Sequence, residues 1–148
     1  MIETKKKILV IVAHPDDETI GMGGTISKHV RNGDEVYVIS MTDGVSSRIT
    51  TSKSEVTERL ECANNASEVL GFSWFKQYQF PDNSMDTIPF IDVVKNIESA
   101  KNQLKPDIVY THSSADLNVD HRITVEATLT AFRPQPHENY SEIISFEV

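Results

Sequence analysis

Two short runs hold most of the residues able to do chemistry. The first is His14-Pro15-Asp16-Asp17-Glu18, an imidazole followed by three carboxylates. The second, Asp116-Leu117-Asn118-Val119-Asp120-His121-Arg122, supplies another imidazole. Imidazole with carboxylate is a donor set suited to zinc or iron. Two histidines and one aspartate make three protein ligands with an open position, the arrangement of a hydrolytic metal centre. Of two adjacent aspartates, one can bind metal while its neighbour faces the solvent-filled mouth. Residue type alone leaves open which does which. Each run also has a plain structural reading. Acids in a first helical turn complement the dipole, worth a few tenths to about 1 kcal/mol each. Asp116 and Asn118 suit a turn and an N-cap, and a lone histidine one turn into a helix is usually a surface or satisfied core residue. The metal reading therefore needs a fold that joins the two runs.

Hydropathy and capping predict the elements. Lys7–Ala13 is a β-branched run fit for a strand covered on both faces. Pro15 biases His14 towards extended backbone, so that strand continues to the histidine and then turns. Thr19–Val30 is helical and stops at Asn32-Gly33. Glu35–Met41 is a second strand and Thr42–Thr51 a polar loop. Ser52 and Glu55 have capping-box spacing, opening a helix that runs to Leu70 and ends at Gly71. A weaker aromatic strand lies within Trp74–Phe80, followed by the turn Pro81-Asp82-Asn83. Ile88–Leu104 is a third helix, with Pro89 in its first turn. Asp107–Thr111 is a fourth strand, Val119–Phe132 a fourth helix, and Glu142–Val148 a fifth strand. This alternation implies a parallel sheet with helices on both faces, a single Rossmann-like α/β domain over residues 1–148. Two strand orders fit, 3-2-1-4-5 and 2-1-3-4-5. One polar run directly follows strand 1 and the other strand 4. Only the order 3-2-1-4-5 makes those strands neighbours, so that order is expected.

Composition narrows the partners. The chain has 148 residues and a formal net charge of −8. Such a surface repels phosphate backbones and anionic lipid, which disfavours nucleic acid and membrane surfaces as partners. The single cysteine, Cys62, excludes an internal disulfide and a cysteine-based zinc cage, and its helical setting makes it a small packing residue. No apolar run approaches the ~20 residues that cross a bilayer. Lys5-Lys6-Lys7 and the apolar run after it superficially resemble a signal peptide, but that run ends at His14 with no cleavage site. Cytoplasmic residence and a small-molecule partner are the expectations.

Ala13-His14-Pro15-Asp16-Asp17-Glu18 and Asp120-His121 resemble the two motifs of the LmbE/PIG-L family of zinc-dependent N-acetyl-sugar deacetylases. The resemblance extends through Thr42-Asp43-Gly44, Arg59 to Leu70-Gly71, and Phe80-Pro81-Asp82-Asn83. It implies that His14, Asp17 and His121 bind Zn²⁺, that Asp16 is the general base, and that acetate leaves an N-acetylated sugar or sugar conjugate. The family commonly carries a histidine where this chain has Asn118. Asparagine can donate a hydrogen bond to an oxyanion but cannot deliver a proton, so Asp16 becomes the obvious donor to the leaving amine. Family members also usually continue past the point where this chain stops, so a truncated or short form is among the expectations. They often form trimers or hexamers, so a homo-oligomer is among the expectations.

Several residues carry secondary expectations. Arg48 resembles a substrate-contacting arginine in relatives, and a solvated loop charge is its plain reading. His112, at the tip of strand 4, is a candidate substrate contact and second proton donor, or a polar residue ending a strand. Asp120 is a candidate partner orienting a metal-bound histidine. Asp82 reaches the pocket rim or simply makes a turn. Gly21-Met22-Gly23-Gly24 reads as close helix–sheet packing, and His29 and His137 as solvated. Two rival functions remain at this stage. In a Mg²⁺-dependent phospho-accepting receiver module, Asp16 and Asp17 would hold the ion and Asp82 accept the phosphoryl group. In a sugar-binding relative, activity would have been lost through Asn118 or the short C-terminus.

Overall fold

Helices and strands alternate along the chain as the hydropathy pattern predicts. The computed structural model describes residues 5–136, 138 and 142–148, so His137 lies outside the described residues. In chain order the elements are β1 (Lys7–Val12), α1 (Asp17–Arg31), β2 (Glu35–Thr42), α2 (Lys53–Leu70), β3 (Ser73–Phe80), α3 (Phe90–Leu104), β4 (Ile108–His112), α4 (Val119–Ala131) and β5 (Glu142–Phe146). A single 3₁₀ turn, Met85–Thr87, precedes α3. All neighbouring strands are parallel, in the order β3-β2-β1-β4-β5. This is the order expected from the two polar runs. It differs from the 2-1-3-4-5 order of receiver modules.

β1 lies at the centre and is buried on both faces because its residues alternate between two apolar layers. Leu9 and Ile11 pack with Ile39, Val93, Ile97 and Val109. Ile8, Val10 and Val12 pack with Met22, Ile26 and Val38 on the other side. A period of two thus feeds two cores from one strand. β3, at one edge, is mostly half-buried and slips twice in register against β2, which accounts for its weak hydropathy signal. α2 opens with the predicted capping box between Ser52 and Glu55 and closes at Gly71 in the left-handed region.

Two helix starts differ from the sequence expectation. α1 begins at Asp17, not Thr19, so Asp17 and Glu18 lie inside its first turn and both are buried. α3 begins at Phe90, because the 3₁₀ turn leaves Ile88 extended and makes Pro89 the N-cap. The rim where the strands begin is tied by satisfied hydrogen bonds. His29 Nδ1 lies 2.7 Å from Asp34 Oδ2 and its Nε2 lies 3.0 Å from the Tyr110 hydroxyl. The backbone N–H groups of Lys6 and Lys7 donate to Asp34 and Asp107. His29 is therefore a structural tie and not the solvated residue expected, since the helix end folds back over β4.

The Gly21–Gly24 segment packs closely at only one of its ends. A Cβ at Gly21 would lie 2.8 Å from the Phe146 ring and 3.0 Å from the Glu147 carbonyl oxygen, whereas one at Gly24 meets nothing within 4 Å. Alanine gains about 1 kcal/mol over glycine inside a helix. Gly24→Ala should therefore raise the melting temperature by about 2–4 °C. Gly21→Ala should lower it, because Phe146 and the β5 backbone must shift. Equal effects in thermal melts would show that α1 does not seat on β5.

Candidate metal centre

The two polar runs converge where β1 and β4 end. Past β1 the chain turns tightly, with the N–H groups of Asp16 and Asp17 both directed at the His14 carbonyl oxygen. The turn swings Asp17 back beneath its own histidine, and Asp17 Oδ2 accepts the His14 N–H at 2.9 Å. Past β4, Asn118 caps α4 by accepting from the N–H groups of Asp120 and His121. Asp116 Oδ1 accepts from the Asn118 N–H, and its Oδ2 lies 2.7 Å from His121 Nδ1. A turn residue thereby fixes the ring of the histidine that follows it.

Three overlapping groups of side chains have the spacing to hold a cation: His14, Asp17 and His121; His112, Asp116 and His121; and His14, Asp82 and Asp120. The outer nitrogens decide among them. His14 Nε2 lies 3.1 Å from Asp120 Oδ2 and 3.1 Å from Asp82 Oδ1, and His121 Nδ1 faces Asp116. Carboxylates only accept, so these outer nitrogens carry the protons. The carboxylates of the other two groups, Asp116, Asp82 and Asp120, are therefore the partners that orient these rings. The inner atoms of the remaining group, His14 Nδ1, His121 Nε2 and Asp17 Oδ2, then face one another, with lone pairs open to a proton or a cation. Their separations are 3.1 Å between the nitrogens and 3.3 Å from the oxygen to each nitrogen. Ligands about 2.0–2.1 Å from a tetrahedral zinc lie about 3.3–3.4 Å apart. The triangle is thus one face of such a tetrahedron, and these residues fit a divalent ion.

Protons compete for the same lone pairs. Burial by itself would push His14 down, but hydrogen bonds to Asp120 and Asp17 and the charges of Asp17 and Asp82 raise it to about 10. His121 is also raised, Asp17 and Asp116 outweighing burial. Burial pushes Asp17 up, but the histidines around it hold its carboxyl well below the usual carboxylate range. Burial raises Glu18 to about 7; its Oε1 accepts from Thr19 and its Oε2 has no partner among the described residues.

The two adjacent aspartates separate cleanly. The Asp17 side chain is 6% exposed and faces the histidines, whereas that of Asp16 is 38% exposed and accepts from Arg59 Nη1 at 2.7 Å. They do not form the ion-holding pair that a receiver module needs, and Asp82, its candidate acceptor, is turned onto His14. Gly44, at φ +67°, lets the loop after β2 press on Pro15, which a Cβ there would meet at 2.8 Å. Ser46 and Ser47 of that loop bond to the backbone and side chain of Asp82. Beside them lies an open depression of about 240 Å³ lined by Val45, Arg48, Glu55, Glu58, Arg59 and Cys62.

Some placements differ from the sequence expectations. Asp120, fully buried, faces His14 and not its neighbour His121, while accepting from the N–H groups of Asn83 and Met85. Its carboxyl is lowered, burial being outweighed by those bonds. His112 is fully buried against His121 and Asp17, and not at the open mouth where a substrate contact was expected. Cys62 is exposed on the wall of the depression, because α2 buries only Ala63 and Ser67. Sequence reasoning missed Asp116 as the partner of His121 and Arg59 as the partner of Asp16. The spacing Asp116-x₄-His121 was a usable signal for the first.

The PIG-L family profile, described as GlcNAc-PI de-N-acetylase, matches residues 9–132. The chain is 30% identical to the uncharacterized deacetylase YaiS of Escherichia coli K12, across 96% of this chain and 78% of that protein. It is 31% identical to the diacetylchitobiose deacetylase of Thermococcus kodakarensis, across 95% of this chain and 55% of that one. Among solved structures, N,N'-diacetylchitobiose deacetylase from Pyrococcus horikoshii superposes with a TM-score of 0.82 at 26% identity, over 98% of this chain and 61% of that chain. The 4-carboxy-2-hydroxymuconate hydratase GalB of Pseudomonas putida KT2440 superposes with a TM-score of 0.80 at 24% identity, over 97% and 66%. That last likeness concerns the fold alone.

The proton competition has a sign that titration reads directly. With His14 raised to about 10, it is protonated at neutral pH and a cation must expel that proton. Adding zinc to unbuffered protein at pH 7 should release at least one proton per ion bound. The apparent affinity should rise with pH from 6 to 9, since protons compete less as the pH approaches the imidazole's value. Binding without proton release, and with affinity flat across that range, would place the ion elsewhere.

Proposed function

This chain belongs to the PIG-L de-N-acetylase family, and on that premise we propose that it is a zinc-dependent hydrolase releasing acetate from an N-acetylated sugar or sugar conjugate. The observation that carries the reading is the triangle of inward lone pairs beside a half-exposed carboxylate, Asp16, at the mouth. His14 Nδ1, His121 Nε2 and Asp17 Oδ2 would hold the ion, and the donor set of two imidazoles and one carboxylate suits zinc. A zinc ion held there supplies Lewis acidity and lowers the pKa of a bound water to about 7. Relatives named for diacetylchitobiose, and for an inositol-linked acetamido sugar, support an N-acetylated sugar as the substrate class.

The protein's own groups then divide the work. Asp16 accepts the proton of the attacking water and returns it to the nitrogen of the leaving amine. Arg59 keeps that carboxylate at the mouth through the 2.7 Å ion pair. Asn118 has its Oδ1 committed to the α4 cap, which leaves its Nδ2 to donate to the carbonyl oxygen. Arg48, beside Arg59 on the wall of the depression, contacts the part of the substrate beyond the acetamide.

Asp16→Asn removes the base but none of the ion's ligands. The variant should bind zinc stoichiometrically while acetate release from N-acetylglucosamine-type substrates falls by about 10²–10⁴-fold. Full turnover by a zinc-loaded variant would eliminate Asp16 as the base.

A further inference from the structure

The mechanism above leaves one buried imidazole without a task. His112 is fully buried, yet it bonds to the residue before His14, stacks on His121 and lies beside Asp17. It ends β4, the strand beside β1, and the ladder between those strands is in register as Val10 with Tyr110. Three residues beyond Val10, the Ala13 N–H donates to the imidazole Nε2 of His112 at 2.9 Å. A side chain here replaces a backbone acceptor just before His14. The His112 ring also lies flat on that of His121, with centroids 3.8 Å apart and an angle of 12° between planes. Behind it stands Phe146 of β5, at 5.3 Å between ring centroids. Its Nε2 lies 3.3 Å from Asp17 Oδ2.

The Ala13 bond fixes the chemistry of the ring. Nε2 accepts, so it carries no proton and its lone pair is already used. The proton is on Nδ1, which has no partner among the described residues. His112 is thus neither a fourth ligand nor a donor to Asp17. We propose that His112 is a positioning residue that sets the separation of His14 and His121, by a hydrogen bond to the chain carrying the first and by ring stacking under the second. The inference rests on the zinc reading above for what the two histidines hold. Through Phe146, which also abuts Gly21 of α1, the wedge joins the first helix to the ligand histidine of the last.

Two variants separate the contacts. His112→Phe keeps the stacked ring and loses the acceptor, and His112→Gln keeps an acceptor and loses the ring. Each should loosen zinc binding by about 10–100-fold in a chelator competition. At saturating cobalt, each should also shift the visible absorption of the bound ion relative to the unaltered protein. Wild-type affinity and an unchanged cobalt spectrum in both variants would overturn the proposal. Should neither variant fold, nitrogen-15 imidazole spectra of the unaltered, zinc-loaded protein decide at neutral pH. The Nδ1–H form of His112 is expected, and an Nε2–H form or an imidazolium overturns it. If the unaltered protein binds no zinc or cobalt, the hydrolase reading fails, and the same spectra still test the hydrogen bond to Ala13.

Discussion

Three side-chain atoms pressed within about 3.3 Å of one another, where a proton and a cation compete for the same lone pairs, are the constraint around which this molecule is arranged. Each is held from behind: His14 by Asp82 and Asp120, His121 by Asp116, and Asp17 by the backbone N–H of His14. Those supports come from the ends of three different strands. Asp120 is in turn held by the chain following β3, through the N–H groups of Asn83 and Met85. The fold contributes little chemistry of its own. It contributes the adjacency of β1 and β4, without which two histidines 107 residues apart have no reason to meet.

Much of this was legible in the sequence. Burial on both faces of β1 follows from its unbroken apolar run, and the strand order follows from asking which order joins the polar runs after strands 1 and 4. Less legible were choices that depend on where a side chain points. Asp16 and Asp17 are chemically identical neighbours, and only the tight turn at His14 sends one inward and leaves the other to Arg59. Asp120 was expected to orient a metal-bound histidine beside it, and its helical position turns it towards His14. Asp116 serves as a turn residue and as an imidazole partner at once, and the first role hid the second. The buried state of Glu18 was concealed because acids at a helix start are usually explained by the dipole alone.

Cys62 and His29 show the opposite failure, in which a local reading was sound but its surroundings were not visible. The helical period around Cys62 does not reveal that α2 lies at the sheet's edge with only a thin buried stripe. Nothing near His29 in the sequence announces Tyr110, which reaches it from β4. In both cases the deciding neighbour is brought in by tertiary packing, beyond the reach of any local window.

The two rims of the sheet have opposite characters. Where the strands begin, Asp34, Asp107 and His29 are matched with donors and acceptors. Where they end, His14, His121 and Asp17 converge on one another, and at neutral pH a proton on His14 stands among them. That proton is a placeholder, which an entering cation must displace. A single proton bridges two lone pairs at most, whereas one doubly charged ion answers all three together. The crowding therefore discriminates by charge and by number of contacts.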